Sequence, residues 1–200
     1  MKSYKIERLI KESYTFINEE NGKEMKDASE YSTLLNSTGR YDNPEIGLQI
    51  CIGNRKNNYN IAKVMLQKHR INIINGLNYV KKIGLNQFEN IQYFHSKDQI
   101  KDTLIGIIAG IIINIKKYSL KPILAFSYSN EDVKVSSRAT NDLIRKGINL
   151  SDAINKTILI TGGSGGGHDI AAGATIKKDR IDLFIKVFNY IIESQYKNND

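Results

Sequence analysis

Apolar side chains recur with helical spacing over roughly the first 85 residues, and strand-like alternation begins only beyond them. Ile6, Leu9, Ile10 and Ile17 predict a helix over 4–19, broken by Asn21 and Gly22. A second helix is predicted over 27–38 and stopped by Gly39, and Pro44 opens a short third one through Ile50. From about Tyr59 to Ile83 one long helix is expected, because Ala62, Leu66, Ile73, Leu77 and Val80 recur on one side. Lys63, Lys68, Arg70, Lys81 and Lys82 take the other side, which reads as a solvated face.

Past Gly84 the pattern changes. Residues 90–95 predict a strand, and 98–117 a helix in which Gly106 and Gly110 would let another element pack closely. Its apolar run, Leu104 to Ile113, is too short to cross a bilayer and reads as a buried helix. Residues 121–128 and 132–138 predict two strands joined by the turn SNED. Short helices follow at 139–146 and 151–156. The β-branched TILIT (157–161) reads as a strand entering GGSGGGHDIAAGATI, and 179–195 closes the chain as an amphipathic helix. The expected class is α/β: a helical linker region over 1–85, then a domain over 86–200 with a mixed sheet flanked by helices.

Composition narrows the partners. Lys and Arg outnumber Asp and Glu, 29 to 21, so polyanions are favoured: nucleic acid first and an acidic membrane second. The single Cys51 excludes an internal disulfide and a cysteine-based zinc site. The charged start MKSYKIERLIKES lacks the apolar core of a signal peptide, so a cytoplasmic protein is expected, with no membrane partner.

Two stretches could carry chemistry. In DVKVSSR, strand alternation puts Lys134, Ser136 and Arg138 on one face and Val133 and Val135 on the other. An ammonium, a hydroxyl and a guanidinium in a row suit a phosphate, and they equally suit the solvent face of an ordinary strand. The second stretch is the glycine cluster around His168. Its bare backbone amides, followed by a short helix expected from HDIAAG, would suit an anion; a structural glycine turn is the plainer alternative. Neither the P-loop nor the dinucleotide fingerprint is matched.

GGGHDIAAGA (165–174) together with KVSSRATNDLIRKGINLSDAI (134–154) closely resembles the C-terminal DHH-associated domain of DHH-family phosphoesterases. EYSTLLNSTGRYDNPEIGLQICIG (30–53) resembles the segment joining the two halves of archaeal RecJ-like nucleases, with Asn36 to Arg40 as the recurring Asn-x-x-Gly-Arg. The likeness runs from residue 28 to 190. Alanyl-tRNA synthetases carry a related domain, but typically show Arg in place of His168 and Ala-Gln in place of Ala171-Ala172.

The resemblance implies that Ser136 and Arg138, with Lys134 beside them, hold a phosphate of the substrate strand, and that Arg40 reaches the same cleft. It implies that Gly165, Gly166, Gly167 and His168 contact the phosphate being cleaved, His168 stabilising its charge. Hydrolysis in that family resembles two-metal chemistry, with Mn2+ or Mg2+ held in a separate DHH domain. This chain has only His69, His95 and His168 and no Asp-His-His, so no metal site and no activity of the chain alone are expected. His69 and His95 read as ordinary surface or interfacial residues.

The leading expectation is therefore the DNA- or RNA-binding half of a RecJ-like single-strand exonuclease of replication or repair, completed by a DHH-domain catalytic subunit. One alternative is a non-catalytic replisome scaffold that binds the GINS complex. Another is the substrate domain of an oligonucleotide or cyclic-dinucleotide phosphodiesterase.

Overall fold

The computed structural model describes residues 12–20 and 22–197. The chain divides into two compact units, Met1–Ile71 and Asn72–Asp200, at a point inside one long helix.

In the first unit, α1 (Ala28–Arg40) starts at Asp27, whose carboxylate accepts from the backbone N–H of Ser29 and Glu30 at 2.9 and 3.0 Å. Gly39 does not stop it; the helix runs one residue further, to Arg40. Pro44 opens α2 (Pro44–Cys51), where its missing N–H is no loss. The long helix α3 (Lys56–Ile83) begins three residues earlier than expected. Leu34, Ile50, Ala62 and Leu66 form this unit's core.

The helix expected over 4–19 is not found where it can be tested: 4–11 lie outside the described residues, and 12–19 are not helical. Thr15 instead bridges Asp27, with Phe16 N–H donating to the Lys26 carbonyl at 2.9 Å. The run Tyr14-Thr15-Phe16-Ile17 is aromatic and β-branched, which favours extended chain once a partner segment is available.

The second unit is built on a sheet of order β1-β2-β3-β4-β6-β5. Its strands are β1 (Asn86–Gln87), β2 (Gln92–His95), β3 (Ile123–Ser129), β4 (Asp132–Arg138), β5 (Ser164–Gly167) and β6 (Ala171–Lys177). β2 and β3 are parallel and every other pair is antiparallel, so the sheet is mixed, as expected. Helix α4 (Asp102–Ile113) makes the crossover, and its Leu104, Ile105 and Ile108 cover Ile123 and Ala125 on one face. On the other face Phe126, Val133, Val135 and Ala174 pack against α6 (Leu150–Thr161) and α7 (Ile181–Lys197). The short α5 (Asn141–Arg145) is capped by the Thr140 hydroxyl. Among the described residues no helix is long and apolar enough to cross a membrane.

Two local expectations are corrected. TILIT is the end of α6, not a strand. Ala153, Ile154, Thr157 and Thr161 are buried while Leu159 is 84% exposed, a helical period rather than an alternation. The threonines tolerate the helix because their hydroxyls donate to carbonyls one turn back, Thr157 to Ala153 at 2.7 Å and Thr161 to Thr157 at 3.0 Å. Nor does HDIAAG start a helix: β5 and β6 form a hairpin with His168 to Ile170 at its bend.

His95, at the end of β2, stacks on Phe126 at 5.9 Å between centroids and meets Tyr128 edge-on at 4.8 Å. Its Nδ1 accepts from the Lys97 N–H at 2.9 Å. Burial, helped by the Lys97 charge, holds its pKa below the ordinary histidine value. The unfolded chain therefore takes up the proton first on acidification. Stability should be full above about pH 6.5 and fall as the pH drops through that value toward the folded pKa. We expect the urea midpoint to decline across this window and His95→Gln to flatten part of the decline. Identical slopes in the two proteins would contradict this account.

Candidate phosphate-binding site

The alternation of β4 sorts its side chains as expected. Val133, Val135 and Ser137 are buried on the α6–α7 side, while Lys134 is exposed and Ser136 and Arg138 are half-buried on the α4 side. The register carries this order across the next two strands. Arg138 pairs with Ala171, Ser136 with Gly173, and Lys134 with Thr175. On the far side of β6, Gly166 pairs with Gly173 and Ser164 with Thr175. Reciprocal backbone bonds, His168 N–H to Ala171 O at 2.8 Å and Ala171 N–H to His168 O at 3.3 Å, extend the ladder by one pair.

Directly paired residues share a face. Three parallel rows result: Arg138–Ala171–His168, Ser136–Gly173–Gly166 and Lys134–Thr175–Ser164. Arg138 and His168 thus stand two strands apart in one row, about 10 Å between backbones. The residues between them, Ala171 and Gly173, are small and half-buried.

The Arg138 guanidinium is held in place. Its Nη1 donates to the Ser137 carbonyl at 2.7 Å and to Ser136 Oγ at 3.1 Å. Helix α4 crosses directly above, and a Cβ on Gly106 would lie 2.6 Å from Arg138 Nη2 and 2.7 Å from Ser136 Oγ. Gly110, one turn on, would place a Cβ 3.8 Å from Arg138 Nε. These glycines do allow close packing, and what they admit is the site's own arginine. Their spacing in the sequence signalled a close approach, but nothing local named Arg138 as the neighbour. Thr175 and Ser164 were likewise missed, because only the register brings them into the patch.

The glycines of β5 have two roles. A Cβ on Gly165 would lie 2.4 Å from the Gly173 carbonyl oxygen, and one on Gly167 would lie 2.5 Å from that of Ala171. What approaches these residues is β6 itself. Gly166, in contrast, would meet nothing within 4 Å. By the alternation of an antiparallel ladder, the Gly165 and Gly167 N–H groups point away from β6, at the free edge of the sheet. Edge amides stand where a helix N-terminus was expected. His168 is exposed beside them. The Asp169 carboxylate accepts from the Ile170 N–H at 2.8 Å, and its carbonyl accepts from the Leu150 N–H at the start of α6.

Arg40 belongs to the first unit, at the end of α1. There His69, only 4% exposed, meets Tyr41 edge-on at 6.0 Å, with the Lys68 ammonium 5.7 Å from the Tyr41 ring centre. Burial, with the Arg40 charge adding to it, lowers the His69 pKa. His69 is a buried residue, not a surface one. Among the described residues no three His, Cys, Asp or Glu side chains gather so as to hold a metal ion.

Residues 90–194 match the DHHA1 domain. The chain belongs to the DHHA1-domain family. The uncharacterized protein MJ0831 of Methanocaldococcus jannaschii is 33% identical over 193 residues, 96% of this chain and 40% of that one. The fold is similar to RecJ of Thermus thermophilus in complex with Mn2+, with a TM-score of 0.68 at 14% identity over 84% of this chain and 24% of RecJ. It is also similar to CDC45 of Entamoeba histolytica, with a TM-score of 0.60 at 8% identity over 84% of this chain and 38% of CDC45. The DHHA1 chain spans less than half the length of each of these proteins.

The close approach of β5 to β6 is testable in this DHHA1 fold. Gly165→Ala and Gly167→Ala should each cost about 1–3 kcal/mol in urea unfolding, as overpacking does. Lys134→Ala, at an exposed position, should stay within about 0.5 kcal/mol of wild type. Equal stability of all four proteins would show that the glycines are not needed for packing.

Proposed function

We propose that this chain is the substrate-binding half of a RecJ-like single-strand nuclease, and that it hydrolyses phosphodiesters only with a DHH domain supplied by a partner. The observation that carries the reading is the row Arg138–Ala171–His168, with the Gly165 and Gly167 amides at its end. A phosphodiester lying over Ala171 and Gly173 would meet the fixed guanidinium from one side and the imidazole from the other, while the edge amides face a neighbouring phosphate beyond β5. Such preset donors stabilise charge without reorganising when it develops. Lys134 adds a mobile charge for the neighbouring phosphate. Mn2+ or Mg2+, bound in the DHH domain, would supply the activated water.

Fluorescence anisotropy with labelled single-stranded DNA tests this. Affinity should fall steeply between about 50 and 200 mM salt, as counterion release requires. Arg138→Ala should weaken binding roughly tenfold, whatever the base sequence, through loss of a charge-assisted hydrogen bond. Binding indifferent to both salt and Arg138→Ala would overturn the reading.

A scaffold role is the second reading, favoured by the fold shared with CDC45. It places this chain in a replisome assembly with a GINS-like partner. Partner association should then survive Arg138→Ala and His168→Ala together, and adding a DHH-domain protein should restore no nuclease activity.

A further inference from the structure

Within the second unit, a groove of about 360 Å3 separates the last part of α3 from the segment leading into α4. Asn72, Asn75 and Tyr79 line one wall, and their spacing places them on one face of the helix. Gln99 and Lys101 line the other, with Leu104 at the floor. Gly76, in the middle of the α3 wall, is buried, and a Cβ there would lie 2.3 Å from Ile108 Cδ1. The helices therefore meet closely at the bottom, and the polar side chains are arranged around the opening. Asn75, Gln99 and Lys101 are exposed, Asn72 and Tyr79 half-buried. Among the described residues no carboxylate lines the groove.

We infer that this groove is a nucleobase subsite for the strand whose backbone lies on the Ser136–Arg138 patch, an inference that rests on the nucleic-acid reading above. The chemistry fits a base better than an anion alone. A phenol ring offers a stacking surface that any base can use. Carboxamides carry both donors and acceptors, so Asn72, Asn75 and Gln99 can meet the mixed edges of different bases. Lys101 can meet the phosphate of the same nucleotide.

The groove also borders the patch. Ser127 pairs with Lys134 across β3 and β4, and its hydroxyl donates to the Lys97 and Ile100 carbonyls at 3.1 and 2.6 Å. The segment 97–101 is thus tied on one side to the row of Lys134 and forms the groove wall on the other. Helix α4 begins at that wall and passes over Arg138. One short loop separates the two places.

The test compares a labelled oligothymidylate with an abasic strand of equal phosphate number, by anisotropy on the full chain. Wild type should bind the base-bearing strand about tenfold more tightly, within the range that base stacking on an aromatic ring supplies. Tyr79→Ala should abolish that preference and leave abasic binding unchanged, while Tyr79→Phe should retain it. Should Tyr79→Ala prove unfolded by urea titration, the doubly substituted Asn75→Ala/Gln99→Ala protein, altered only at exposed positions, must reduce the preference by itself. Equal affinity of wild type for both strands overturns the subsite, as does equal weakening of both strands by these variants. In those cases a loss of both on Arg138→Ala still leaves the phosphate reading standing. Failure of wild type to bind either strand removes both.

Discussion

The Arg138 guanidinium can rest half-buried against the sheet only because helix α4 has no side chains where it passes over it. A charge moved out of water must recover its hydrogen bonds, and Arg138 does so from the Ser137 carbonyl and the Ser136 hydroxyl. Those two bonds fix one edge of the fork, so the group is oriented before any ligand arrives. Everything else in the patch is arranged about that fixed point. Small residues on β6 leave space beside it, and the register brings His168 into its row.

Glycine serves three different ends within this one unit. On α4 it makes room for a functional side chain; on β5 it lets two backbones come closer than any Cβ would permit; on α3 it lets two helices touch beneath an open groove. In the second case two positions, Gly165 and Gly167, are excluded from carrying side chains by β6, while Gly166 between them faces open space. A glycine-rich sequence therefore does not by itself mean a ligand loop. Its meaning depends on what lies opposite each residue.

Some of this could be read directly from the sequence. The two-faced character of DVKVSSR follows from a period that needs no partner, and the turn in SNED is local as well, with Asn130 taking a left-handed φ of 56°. The mixed α/β arrangement with helices on both faces was also accessible from the order of elements. TILIT was not, because threonine hydroxyls can bond within a helix and so conceal its period behind β-branched residues. HDIAAG was not, because the hairpin is decided by a strand that β6 finds elsewhere, in β4. Tyr79 and Gln99 lie twenty residues apart on separate elements, and nothing in either neighbourhood announces the other.

An open sheet edge is usually a hazard, since its unmatched amides invite strands from other molecules. Here the edge strand is four residues long, and all but one of those residues are glycine. Such an edge has almost no methyl groups to interlock with an incoming chain, so a dry zipper between molecules gains little. The amides can therefore stay available in a crowded solution without drawing the protein into aggregates, a protection that costs the molecule no charged guard residue on that strand.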